Sequence, residues 1–125
     1  MIQVWGAHER CDLEAMKVIV RPFLPPRPRD APSDPDLSQP GALQALADQA
    51  GLAPESEFTA SWAFEFPDAA TLGRALVAVA GFAVLAGPER EQALTTAIVD
   101  GLAPYRRRDG SYRLENEYRY LIARA

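Results

Sequence analysis

The stretch LAPYRRRDGSYRLENEYRYLIARA, residues 102–125, decides the fold. Asp109-Gly110 predicts a turn, because glycine accepts a positive φ and aspartate can bond its own backbone. After the turn, one set of residues recurs at every second position: Tyr112, Leu114, Asn116, Tyr118, Tyr120 and Ile122. This period of two predicts a β-strand. Residues 118–123 are apolar on both faces, which indicates a central strand with a neighbour on each side.

Two more strands are predicted earlier in the chain. Residues 2–5 read as a short apolar strand that Gly6 ends. Residues 55–66 alternate so regularly that they give the strongest strand signal in the chain. One face of that strand is apolar and carries Phe58, Ala60, Trp62, Phe64 and Phe66. Of these, Trp62, Phe64 and Phe66 are predicted to be core.

The helices are predicted from their capping residues. Three side chains are candidate N-caps: Asp12, Ser38 and Asp68. Gly51 is predicted to end the second helix, Gly81 to kink or end the third, and Gly87-Pro88 to start the last. The resulting order predicts an α/β fold, or an α+β-like fragment. It has a three-stranded mixed sheet with the strands in the order first, last, middle.

Composition limits the function classes. The chain has 125 residues, of which 48% are hydrophobic and 24% charged, and this predicts a single domain over 1–125. Seven of the eleven prolines fall in residues 22–40, which predicts an extended surface loop. The net charge of −4 argues against nucleic-acid binding. No membrane span or secretory leader is recognised, and the single Cys11 suits a reducing compartment, so a cytoplasmic location is expected.

Several stretches resemble one enzyme family. Residues 102–125 are similar to the end of class I S-adenosylmethionine-dependent methyltransferases of the type 11 kind. In that family the final strand runs antiparallel between the fifth and sixth strands. IQVWG at 2–6 resembles the fifth strand, LSQPG at 37–41 and AGL at 50–52 resemble the segment before the sixth, and FEFPD at 64–68 resembles the exit from the sixth. The resemblance implies the C-terminal half of a Rossmann-like methyltransferase.

The cofactor-binding motif of that family is missing from this sequence. The family binds S-adenosylmethionine at a glycine-rich turn in its first half, where backbone amides approach the ligand closely. No two of the eight glycines here are spaced as G-x-G. We therefore expect no cofactor for this chain alone, although the resemblance implies S-adenosylmethionine for the family.

Three interpretations remain open at this point, and one of them is a structural remnant that binds no ligand. The first is a truncated methyltransferase-like protein, the substrate-side half, which does not catalyse methyl transfer by itself. The alternative is a stand-alone dimeric module that binds a small molecule or a partner without methyltransferase activity. In either case the strand at Ile2–Trp5 is an apolar sheet edge. We expect it to pair with a second copy or with a separate cofactor-binding half.

Four residues are candidate contacts for a substrate: Trp5, His8, Phe66 and Phe82. Trp5 resembles the family residue that faces the acceptor substrate, and capping the core is the equal alternative. Phe66 shares the period of two that predicts core packing. No catalytic or metal-binding residue is assigned.

Three other groups have simpler interpretations. His8, Glu9, Cys11 and Asp12 could contribute to a zinc site, but a loop with a helix cap is the default. Residues 106–108, three arginines, could hold a phosphate, but a solvated cluster is more common. Two carboxylate pairs are expected to face solvent: Glu55 with Glu57, and Glu115 with Glu117.

Overall fold

A computed structural model describes residues 1–125, apart from the side chain of Ala80. The chain divides into two compact units. The first unit consists of Met1–Asp12, Pro32–Ala63 and Glu115–Ala125, and the second of Leu13–Ala31 and Phe64–Leu114. Each unit is described separately below.

Three strands and five helices form the regular structure. The strands are β1 (Ile2–Trp5), β2 (Ala53–Phe66) and β3 (Tyr112–Arg124). The helices are α1 (Ala15–Val20), α2 (Ala42–Gln49), α3 (Ala69–Ala78), α4 (Phe82–Ala86) and α5 (Glu91–Gly101). In the described backbone, residues 24–40 contain no helix or strand, and the first residues of the loop predicted over 22–40 lie in a short 3-10 turn, Arg21–Phe23. No helix of the described part is long and apolar enough to cross a membrane.

The sheet has the strand order β1-β3-β2, which confirms the predicted order of first, last, middle. β1 pairs antiparallel with β3, and the register places Ile2 opposite Leu121 and Trp5 opposite Tyr118. The prediction of a mixed sheet was wrong, because the sheet is antiparallel throughout. β1 and β2 do run in the same direction, but β3 lies between them, so no two adjacent strands are parallel.

The first unit has a small core on one face of its sheet. Leu43 and Ala47 of α2 and Leu121 of β3 are buried there, and Ile2 and Val4 of β1 pack against them. The spacing of four between Leu43 and Ala47 places both on one side of the helix. Because Trp5 alternates with Val4 along β1, it lies on the opposite face of the sheet.

The start of α2 differs from the prediction. Ser38 was predicted to cap the helix, but its hydroxyl donates to Asp36 instead. The helix begins after Gly41, whose φ of 81° is in the left-handed region that favours glycine. Asp12 likewise does not cap α1, because its Oδ2 accepts a hydrogen bond from the Glu115 amide at 2.7 Å.

The second unit has the larger core. Its buried apolar side chains come from α1, α3, α5 and the start of β3, and include Met16, Leu72, Leu76, Leu94, Ile98 and Leu114. Asp68 caps α3 as predicted, and its Oδ1 accepts from the Thr71 amide at 2.7 Å. The predicted break at Gly81 is confirmed, because this residue has a φ of 70° and separates α3 from α4. The Asp109 turn is confirmed by a bond of 2.9 Å from the Ser111 amide.

Candidate functional site

Five aromatic side chains lie on one face of the sheet in the first unit. We call this surface the aromatic face; its residues are Trp5, Phe58, Trp62, Tyr118 and Tyr120. Trp5 of β1 lies directly opposite Tyr118 of β3, and Tyr120 is two positions further along β3. Phe58 of β2 stacks on Tyr120, and Trp62 is four positions beyond Phe58. Side chains at even spacing point to the same side of a strand, so all five share one face.

The aromatic rings form two close pairs, and much of the aromatic surface is exposed to solvent. The Trp5 and Tyr118 ring centroids are 4.9 Å apart with a tilt of 31°. The Phe58 and Tyr120 rings are 5.0 Å apart and nearly parallel, at 9°. Trp5 is 45% exposed, Phe58 48% and Trp62 62%. Aromatic surface exposed to this extent on a sheet is typical of a ligand or partner site.

The aromatic face carries no charged side chain among its five residues. The pKa of Tyr118 is raised, first by burial and then by the neighbouring Cys11 and Tyr120, so the phenol stays neutral. Tyrosine hydroxyls can donate and accept hydrogen bonds, while the rings offer flat apolar area. The arrangement can therefore hold a flat, uncharged group by stacking, and none of the five provides a general base at neutral pH.

The carboxylates of β2 on the face that α2 covers are paired with arginines of β3. Arg119 lies 3.4 Å from Glu57, and Arg124 lies 2.7 Å from Glu55. Gln44 of α2 also donates to Glu57. Glu55 is exposed as expected, whereas Glu57 is half-buried, and both carboxylates are ion-paired with arginines of β3. Glu117 was also expected to face solvent, but it is only 7% exposed.

In the loop after β1, the polar side chains of His8 and Cys11 have different hydrogen-bond partners. His8 Nε2 lies 3.0 Å from Asp36 Oδ2, and both side chains are exposed. The Asp36 carboxyl has a lowered pKa because it accepts hydrogen bonds from Ser38, Gln39 and His8. Cys11 Sγ instead donates to the Glu117 carbonyl at 3.4 Å. Among the described side chains, no group of three or more His, Cys, Asp or Glu is placed to hold a metal ion.

The four predicted substrate contacts are divided between the two units. Trp5 lies on the aromatic face and His8 in the adjoining loop, and both belong to the first unit. Phe66 and Phe82 belong to the second unit, where both are partly buried against its core.

The aromatic residues of β2 were partly misjudged from the sequence. Trp62 and Phe64 were predicted to be core, but they are 62% and 39% exposed, and Phe58 on the same strand is 48% exposed. In the first unit α2 packs on the opposite face of the sheet, against Leu121. The alternation predicted correctly that these residues share a face. It could not report which face a helix covers, and this is why the aromatic face was missed.

The remaining candidate features are weaker. In the arginine cluster, the Arg107 side chain lies 3.7 Å from Glu65, and the backbone of Arg106 forms an isolated antiparallel β-bridge with Tyr112. The second unit has an open depression of about 240 Å³ between α3 and α5, lined by residues such as Ala69, Thr95 and Val99. Neither feature has the stacked rings that distinguish the aromatic face.

Comparison with family models, with curated proteins and with solved structures gave no match. The functional argument therefore rests on the residues and on the geometry described above.

Proposed function

We propose that this chain is the substrate-side half of a methyltransferase-like assembly and does not transfer methyl groups by itself. The observation that supports this proposal is the order β1-β3-β2 with an antiparallel last strand between the other two. The sequence resemblance implies this arrangement for the end of the family's sheet. A three-stranded antiparallel sheet can arise in other folds, so the proposal depends on the order and the quoted motifs together.

The reason for expecting no activity from the chain alone is geometric. Methyl transfer depends on holding the donor and the acceptor in line, and positioning supplies most of the rate enhancement. The sequence contains no glycine-rich turn that would hold the donor. By the resemblance, a second polypeptide that carries this turn would dock beside β1, one of the two free edges of the sheet.

The test of this proposal is reconstitution. The cofactor-binding half of a type 11 methyltransferase, ending just before its fifth strand, is mixed with this chain, and S-adenosylmethionine binding and complex formation are measured. We expect a complex that Gln3→Lys on β1 weakens, because a charge at a paired edge opposes strand addition. Thr59→Lys on β2 is the matched control and should leave the complex intact. Failure of any such half to bind, or equal loss with both variants, would contradict docking at β1.

The exposed aromatic face supports a second candidate function. We propose that the chain can act as a stand-alone module that binds a flat, uncharged small molecule by stacking on Trp5, Phe58 and Trp62. Ring stacking on such a surface contributes roughly 0.5–1.5 kcal/mol for each ring pair. This function requires no cofactor and no transferred group.

The two tryptophans make this candidate easy to test. They are the only ones in the chain and both lie on the aromatic face, so tryptophan emission, excited selectively over tyrosine, reports on that surface. Flat aromatic compounds should quench the emission and raise the unfolding temperature, and Trp62→Ala should reduce both effects. Val84→Ala is the matched control, because Val84 is an exposed apolar residue of α4 in the other unit. An equal response from both variants would exclude the aromatic face as the site.

A further inference from the structure

β2 is a long strand at the edge of the sheet, with β3 on one side only. It runs for 14 residues, ten of which are exposed, and no described side chain in it is buried. The outer edge of such a strand presents backbone amides and carbonyls that can pair with another strand. Natural proteins commonly protect such edges with unpaired charges, with proline or with a bulge.

The charged side chains that usually protect a strand edge from pairing are neutralised by ion pairs on β2. Its three carboxylates are each bound to an arginine: Glu55 to Arg124 at 2.7 Å, Glu57 to Arg119 at 3.4 Å and Glu65 to Arg113 at 2.7 Å. Its only proline, Pro54, is the second residue of the strand. The segment between Glu57 and Glu65 carries no charge at all. An incoming strand therefore meets no uncompensated charge along this edge.

The centre of β2 is self-complementary. Residues 58–62 read Phe-Thr-Ala-Ser-Trp, with aromatic residues at both ends, hydroxyl residues next to them and alanine in the middle. An antiparallel pairing of two such strands about a two-fold axis at Ala60 places Phe58 opposite Trp62 and Thr59 opposite Ser61. A two-fold interface requires the same patch to match itself, and this segment does so.

We propose that two copies of this chain associate through β2, antiparallel about Ala60, to form a continuous six-stranded sheet. The row of stacked rings, Phe58 on Tyr120, then continues into Trp62 of the second copy. Thr59 and Ser61 form hydroxyl pairs on the other side of the sheet. The inference does not depend on the proposed function, because β1 stays free at the far edge of each sheet.

The test is a pair of double variants that differ at one residue. In Thr59→Lys/Ser61→Lys, each lysine faces a lysine of the second copy, whereas in Thr59→Lys/Ser61→Glu each lysine faces a glutamate. Both positions are exposed, and folding is checked by circular dichroism. Sedimentation equilibrium should give the wild type twice the 13.7 kDa of one chain. The dissociation constant of the Thr59→Lys/Ser61→Lys dimer should be about tenfold or more higher than that of the wild type, and Thr59→Lys/Ser61→Glu should stay dimeric.

Gln3→Lys on β1 is the control for the other edge and should leave the dimer unchanged. A wild-type chain that is monomeric up to about 100 µM would overturn the proposal. So would equal behaviour of the two double variants, because the register about Ala60 would then be wrong, or dissociation by Gln3→Lys, because β1 would then be the interface. If two copies associate by stacking their sheets face to face, or if β2 pairs with a strand of a different protein, the experiment gives one of these contradicting outcomes. The first two outcomes do not bear on reconstitution with a cofactor-binding half, whereas a dimer formed through β1 would compete with docking of that half at the same edge.

Fluorescence provides a second measurement without added charge. In Trp5→Phe the only remaining tryptophan is Trp62, which is 62% exposed in one copy. Association through β2 buries this ring, so its emission should shift to shorter wavelength as the concentration rises through the dissociation constant. Emission that stays constant across a dimerisation seen by sedimentation would place the interface elsewhere and overturn the proposal.

Discussion

At the scale of single residues, Glu117 is the buried carboxylate that organises the loop after β1. Its Oε1 accepts from the Ala7 amide at 3.2 Å, and its Oε2 lies 3.4 Å from Arg10 Nη1. The Gly6 amide donates to the Glu117 carbonyl at 2.7 Å. A Cβ at Gly6 would lie 2.6 Å from Glu117 Cγ and 2.8 Å from its Cβ, so glycine is required for this approach.

Gly6→Ala should therefore destabilise the chain. The new methyl group must displace Glu117 from its hydrogen bonds, which we expect to cost about 1–3 kcal/mol. Urea denaturation measures the loss. Glu117→Ala removes two of the three atoms that crowd the methyl group, so adding Gly6→Ala in that background should cost less. Equal cost in both backgrounds would mean that crowding by the Glu117 side chain is not the cause.

Asp68 makes a prediction about pH. Its pKa is lowered from 3.8, mainly by the hydrogen bond from the Thr71 amide and then by the Thr71 side chain, with a smaller effect of Arg74. A lowered folded-state pKa adds stability that is present above pH 3.8 and is lost as the pH falls through the lower value. Asp68→Asn keeps the helix cap but cannot titrate. Thermal unfolding from neutral pH down to below that window should show a smaller decline for Asp68→Asn than for the wild type. Parallel declines would contradict the assignment.

At the same scale, the sequence predicted some caps and missed others. Asp68 and Asp109 were predicted correctly because their partners, Thr71 and Ser111, lie within three residues. Asp12 was not, because its partner is the Glu115 amide, more than a hundred residues away. A capping pattern in the sequence identifies only hydrogen-bond partners that are close along the chain. It contains no information about a distant backbone donor that competes for the same side chain.

At the scale of elements, α3 and α5 pack closely because Gly73 has no side chain. A Cβ there would lie 2.8 Å from Thr95 Cγ2 and 3.3 Å from Val99 Cγ2. The Thr95 hydroxyl donates to the Glu91 carbonyl at 2.8 Å, which fixes the direction of its methyl group. Glycine is otherwise a poor residue for the interior of a helix.

Gly73→Ala should therefore have opposite effects in two backgrounds. In the wild type the clash with Thr95 should outweigh the gain of about 1 kcal/mol in helix propensity, and the chain should lose stability. Thr95→Ser keeps the hydroxyl and removes the methyl group, so in that background Gly73→Ala should be neutral or stabilising. Chemical denaturation of the four proteins gives the comparison. The same sign and size in both backgrounds would show that Thr95 does not limit the helix spacing.

The helices and strands were largely predictable from the sequence, but the face of the sheet that α2 covers was not. The alternation in β2 and β3 and the breaks at Gly51 and Gly81 were read correctly from local spacing. The exposure of Phe58 and Trp62 was not, because alternation defines two faces without telling which one α2 covers. The long-range choice of face depends on packing, which the sequence around β2 does not contain.

At the scale of the whole molecule, the chain offers two free sheet edges with different character. β1 is short and apolar, and we propose it as the docking edge for a separate cofactor-binding half. β2 is long, charge-balanced and self-complementary at its centre, and we assign it to a second copy. The strand order was predictable because a strand that is apolar on both faces must lie between neighbours.

The most direct test of the central claim is calorimetric titration of S-adenosylmethionine into the purified chain, with its mass in solution measured on the same sample. The account predicts no saturable heat for the chain at any oligomeric state, because its sequence carries no glycine-rich turn. Saturable binding of one S-adenosylmethionine per chain or per dimer would show that these residues build a cofactor site themselves, and it would contradict the claim that the chain is only the substrate-side half.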